Sequence, residues 1–107
     1  MYDDWKSDQL RKEAGVNHPK TAFVYHQDPG HGWLEVSQAD MDDVGLSYIN
    51  FSSCSYVSTD GELLFLEEDC DMPKFLAAYK VKYSGAPQIV EAYSDPCFIR
   101  DLSSNPV

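Results

Sequence analysis

The dipeptide Asp60-Gly61, set between two apolar runs, restricts the folds open to this chain more than any other feature. Asp-Gly is a strong signal for a two-residue β-hairpin turn, because it supplies residues that tolerate a left-handed backbone. With that pair at the turn, Thr59 faces Glu62, Val57 faces Leu64 and Tyr56 faces Phe65. Successive side chains on a strand point to opposite faces, so apolar residues at both Leu64 and Phe65 require cover on both sides. The hairpin is expected to be central and buried, and the rest of the chain must supply the layers around it.

Those layers can be read in outline. Thr21 to His26 is rich in β-branched and aromatic residues, Gln27-Asp28-Pro29-Gly30 is a turn, and His31 to Val36 returns as a second strand. Ser37 with Asp40 three residues on forms a capping box for a short helix closed by Gly45. Leu46 to Ser58 reads as a strand region broken near Ser52-Ser53. Met72, Phe75, Leu76, Tyr79 and Tyr83 recur at helical spacing, with Pro73 at the start and Gly85 and Pro87 past the end. Gln88 to Tyr93 supplies a further strand, and Cys97 to Arg100 a short edge piece. Asp3 to Ala14 has acids early and Arg11-Lys12 late, as a helix dipole favours, and Asn17-His18-Pro19 ends it.

The expected class is α+β. It comprises a small antiparallel sheet of two hairpins plus one strand, a long amphipathic helix packed on it, a short helix and an N-terminal helix. At 107 residues there is room for one core, and a 43% apolar and 13% aromatic composition can close it. A single domain is therefore expected over 1–107, with 1–18 an appended helix and linker and 103–107 a flexible tail.

Charge narrows the function. The net charge is −10, and no Lys or Arg lies between Lys20 and Lys74. That stretch carries Asp28, Glu35, Asp40, Asp42, Asp43, Asp60, Glu62, Glu67, Glu68, Asp69 and Asp71. Direct nucleic-acid binding rests on Lys and Arg neutralising phosphates, so it is excluded as an expectation. An extended negative field instead speeds encounter with a basic protein surface, and solubility is the plainer use of the same charge. Exposed aromatics, with Trp33 and Tyr48 the candidates, would supply anchors. No apolar run reaches the length of a membrane span, and Met1 to Trp5 has no leader character. The odd, unpatterned cysteines Cys54, Cys70 and Cys97 fit reduced, buried side chains in a cytoplasm.

Three clusters bear on chemistry. His26 and His31 flank one turn and, with Asp28 or Glu35, resemble an incomplete metal site. Glu67-Glu68-Asp69-Cys70-Asp71 crowds acids at a helix start, beyond what the dipole needs, and fits a cap, a divalent cation or a basic partner. Cys70 near that helix start would gain thiolate character, which the neighbouring carboxylates oppose. No nucleophile elbow or phosphate loop is present. The expectation is a protein that is not an enzyme and takes no cofactor or stoichiometric metal, the histidine pair lacking a third ligand. A small metal-binding protein or metal-dependent enzyme using His26, His31 and the Glu67–Asp71 acids is the alternative.

The strings HQDPGHGWLEV (His26 to Val36), SCSYV (Ser53 to Val57), LEEDCD (Leu66 to Asp71) and FIRDL (Phe98 to Leu102) occur in this order. They resemble a group of small uncharacterised proteins of phages, prophages and plasmids that share a DPGHGWL turn and a YLEEDCD segment. Phe65 stands here where the group has Tyr. The resemblance implies company among accessory proteins of mobile elements, where anti-CRISPR and anti-restriction proteins occur. It supports an acidic, DNA-mimicking inhibitor in the host cytoplasm that blocks the basic surface of a nucleic-acid-handling complex. A phage accessory protein without an inhibitory role is the third reading.

Overall fold

The computed structural model describes residues 20–106, so the helix and linker expected within 1–18 lie outside the described residues, as does Val107. Around Asp60-Gly61 the backbone follows the sequence. Gly61 is left-handed (φ 77°), and Tyr56 pairs with Phe65 and Val57 with Leu64 in antiparallel register between β3 (Tyr56–Val57) and β4 (Leu63–Glu67). Pairing ends at the bond from Ser58 N–H to the Leu63 carbonyl. Thr59 and Glu62 belong to the turn instead, because Asp60 Oδ1 takes the Glu62 N–H and the Ser58 hydroxyl.

The first hairpin joins β1 (Ala22–Gln27) to β2 (Gly32–Ser37). Strand β4 lies antiparallel to β2, with Trp33 opposite Glu67 and Val36 opposite Leu64, which welds the two hairpins together. Ser37 and Asp40 form the expected capping box at the start of α1 (Gln38–Asp43). Helix α2 (Met72–Tyr83) follows β4 and leads into β5 (Gln88–Tyr93).

Strand β5 runs parallel to β1, so the sheet is mixed and not antiparallel as expected. The 12 residues of α2 span about 18 Å at a helical rise, close to the length of one strand. The helix thus returns the chain to the end where β4 began, and the next strand must run in the same direction as β4 and β1. With Ser103–Ser104 as β6, the order across the six strands of the described sheet is β5–β1–β2–β4–β3–β6.

Both faces of the sheet are covered, as the run Leu63-Leu64-Phe65-Leu66 demands. On one face Phe23, Leu34, Val36, Leu64 and Leu66 meet Met41 of α1 and Phe75 and Tyr79 of α2, with Leu76 and Tyr83 packed alongside. On the other, Trp33 and Phe65 meet Cys97 and Ile99. Full burial of such side chains contributes roughly 1.5–3 kcal/mol each.

Three local expectations are corrected. Leu46 to Ser55 is no strand: Tyr48–Asn50 forms a single helical turn, and Ser52 and Ser55 turn their donors to a buried carboxylate. Cys97 to Arg100 is no edge piece but the start of a helical turn, Phe98–Asp101, that seals the second face with Ile99. Nor do Ser103 and Ser104 fray: they form β6 against β3. Asn105 is buried, its amide bonded to the Tyr48 carbonyl. No helix among the described residues is long and apolar enough to cross a membrane.

Candidate functional site

The fold divides the eleven acids into two populations. Asp28, Asp40, Glu67 and Asp71 are buried. Arg100 grips Asp28 with two guanidinium nitrogens, Lys20 meets Asp40 at 3.1 Å and Lys74 approaches Asp71 at 3.5 Å. Half-buried Asp43 takes Lys82 at 2.8 Å and the Tyr83 hydroxyl. The ion-paired groups are internal struts, and the expectation that Asp28, Asp40, Glu67 and Asp71 face a partner is corrected by their burial. Asp42, Asp60, Glu62 and Asp69 are exposed, with Glu35 and Glu68 partly so. Asp60 and Glu62 precede β4 while Glu68 and Asp69 follow it, so the acids gather at opposite ends of the sheet and not on one patch.

At the first end, an open cleft of about 480 Å³ lies between the β3–β4 turn and the C-terminal segment, lined by Val57, Asp60, Asp101 and Leu102 among others. The Ser58 hydroxyl and the Glu62 N–H stabilise the Asp60 carboxylate and hold its pKa below the ordinary value. It therefore stays ionised beside Asp101, an acid the sequence reading passed over.

Asp71 occupies the N-cap position of α2 without capping it. Its carboxylate, fully buried, instead accepts from Ser52 N–H at 3.0 Å, the Ser52 hydroxyl at 2.8 Å and the Ser55 hydroxyl. Ser55 Oγ in turn accepts from Glu67 N–H. This network ties the Ser52–Ser55 loop to the end of β4, a role that the sequence disclosed for neither serine.

At that end a second group assembles. The Tyr25 side chain crosses β2 over Gly32, where a Cβ would lie 1.9 Å from its hydroxyl, and donates to Glu68 Oε2 at 2.6 Å. Only glycine permits that approach. Burial and the nearby Glu68 push the Tyr25 phenol above its ordinary pKa. Glu67 Oε1 accepts the N–H groups of Asp69 and Cys70, and Oε2 lies 3.9 Å from His31 Nδ1. One ligand atom each from His31, Glu67 and Glu68 lies within 4.8 Å of the others.

The remaining candidates have other duties. His26 is not paired with His31: its Nε2 lies 2.8 Å from Glu35, and its ring packs edge-on against Phe65 and Phe98. Trp33, expected as an exposed anchor, is 2% exposed, with the Arg100 guanidinium 5.5 Å above its ring. Tyr48 is half-buried and ties the Asp60 turn by donating to the Gly61 carbonyl at 2.6 Å. Among the described residues the large exposed aromatic side chains are Tyr93 and Phe98. Only Cys97 is a buried cysteine. Cys70 faces the Cys54 thiol and the Glu67 carboxylate, which push its pKa up to about 11 and leave it a poor nucleophile near neutral pH. No protein-family model matches the chain, and neither does any curated protein or solved structure.

Proposed function

We propose that this chain is an acidic anti-defence protein of the kind carried by phages. In this reading it acts by binding, not catalysis, in the host cytoplasm: it occupies a basic nucleic-acid-handling surface, in the manner of an anti-CRISPR protein, and keeps DNA or guide RNA out. One observation carries the reading. Residues 20–106 hold fourteen carboxylates against five basic side chains, and four of those five are bound to Asp28, Asp40, Asp43 and Asp71. The bases are spent on interior acids, while exposed Asp42, Asp60, Glu62 and Asp69 make no ion pair with Lys or Arg among the described residues. Such a surface raises association rates with a basic partner and discourages acidic ones. The cleft between Asp60 and Asp101 suits a partner's Arg or Lys side chain, and exposed Phe98, on the same helical turn as Asp101, offers an apolar contact.

The test is affinity capture from bacterial lysate on the immobilised chain, beside a variant carrying Asp42→Asn, Glu62→Gln, Asp69→Asn and Asp101→Asn. The expected result is retention of a nucleic-acid-handling complex that added DNA or RNA displaces and that the variant loses. Retention by the variant equal to the parent's, or a captured partner indifferent to nucleic acid, contradicts the reading.

A further inference from the structure

We infer that His31, Glu67 and Glu68 form a binding site for a single first-row divalent cation, zinc being the best fit to one imidazole nitrogen and two carboxylate oxygens. The inference goes beyond the proposed function and stands whether or not a protein partner binds. The donors come from two segments that the β2–β4 pairing brings together, and their ligand atoms already lie within 4.8 Å of one another. Ligands around zinc sit about 2.0–2.2 Å from the metal, so the two donors of a tetrahedral site are roughly 3.3 Å apart. The 3.9 Å between His31 Nδ1 and Glu67 Oε2 closes to that value with a small rotation of the half-exposed imidazole.

Both carboxylates are held by groups outside the donor set. Tyr25 fixes one oxygen of Glu68, and the Asp69 and Cys70 N–H groups fix Oε1 of Glu67, which leaves Oε2 turned toward His31. Such outer hydrogen bonds orient metal ligands and raise affinity. Gly32 serves the same end, since any side chain there would expel Tyr25. Three protein donors leave the remaining positions open to water, the arrangement of a reactive or exchangeable site and not of a closed structural one.

The full chain, stripped with chelator, is titrated with zinc chloride alone by calorimetry, and separately with manganese while amide NMR signals are followed. One zinc per chain is expected, with His31→Ala and Glu68→Gln each weakening binding by at least about tenfold and Tyr25→Phe by a smaller factor. Glu62→Gln, at the far end of the sheet, leaves the affinity unchanged. Manganese broadens Gly32 and the Glu67 to Asp69 amides before those of Asp60 and Glu62. Absence of saturable binding overturns the inference, as does equal weakening by Glu62→Gln, which would mark diffuse attraction to acids. Zinc binding abolished by Cys70→Ser but untouched by His31→Ala also overturns it, since the Cys54 and Cys70 thiols would then be the ligands.

Discussion

Replacing Asp71 tests whether the acids form two populations. Three donors reach its carboxylate: Ser52 N–H, the Ser52 hydroxyl and the Ser55 hydroxyl. Hydrogen bonds to a charged acceptor contribute about 1.5–3 kcal/mol each. They share one acceptor, so they do not add, and removing one member of a buried charged network typically costs about 3–5 kcal/mol. Asp71→Ala is placed in that range. Asp71→Asn keeps one acceptor oxygen for the two serine hydroxyls, which both reach Oδ2, but turns an N–H₂ group toward the Ser52 N–H and Lys74 on the other side, and is expected to cost about 2–3 kcal/mol. At roughly 4–8 °C per kcal/mol for a domain of this size, the Asn variant should melt at least about 8 °C below the parent. Urea unfolding followed by circular dichroism measures the free energy directly. Glu62→Gln, fully at the surface, should stay within about 0.5 kcal/mol. An Asp71→Asn protein as stable as the Glu62→Gln protein would refute the assignment of Asp71 to the interior.

Other outcomes follow from the same packing and charges. Phe75→Ala, at a side chain with no exposure, should cost about 3–5 kcal/mol in urea unfolding, and more than Leu76→Ala, whose side chain is only partly buried. The Arg100 guanidinium and the turn N–H groups hold the Asp28 carboxyl well below its ordinary pKa. The unfolded chain therefore binds the extra proton, and this contribution is present above about pH 4 and lost as the pH falls further. Melting temperatures between neutral and acid pH should accordingly fall less steeply for Asp28→Asn than for the parent. Gly32→Ala should destabilise the fold by about 1–3 kcal/mol and break the Tyr25–Glu68 bond, seen as a phenol that titrates at lower pH.

What the sequence disclosed was local, and what it withheld was long-range. The Asp60-Gly61 turn, the Ser37–Asp40 capping box and the Met72–Tyr83 helix depend on neighbours in the chain, and each stands where its pattern put it. His31 and the Glu67–Glu68 pair were visible as separate clusters. Their meeting depends on β2 pairing with β4, which no turn residue or periodicity specifies. The grip of Arg100 on Asp28 spans 72 positions and rests on the same kind of closure. Asp71 looked like a helix cap because acids are favoured there, whereas burial against Ser52 and Ser55 decided its role. Ser103 to Asn105 looked like a tail because it is polar, yet its backbone pairs with the edge of β3 and the Asn105 amide satisfies the carbonyl of Tyr48. Trp33 misled by the opposite route, an aromatic beside a turn that the C-terminal segment covers.

The most direct test of the acidic surface is the association rate between the chain and the complex it captures from lysate, measured by stopped flow from low to physiological salt. The parent should associate fastest at low salt and slow steeply as salt rises, because exposed charges are screened within about 8–10 Å near physiological ionic strength. The variant carrying Asp42→Asn, Glu62→Gln, Asp69→Asn and Asp101→Asn should associate at least about tenfold more slowly at low salt, with a flatter salt dependence and an unchanged melting temperature. A variant that binds as fast as the parent across the whole salt range, and excludes nucleic acid from the complex as well, would show that the acids serve solubility and that recognition lies elsewhere on the surface.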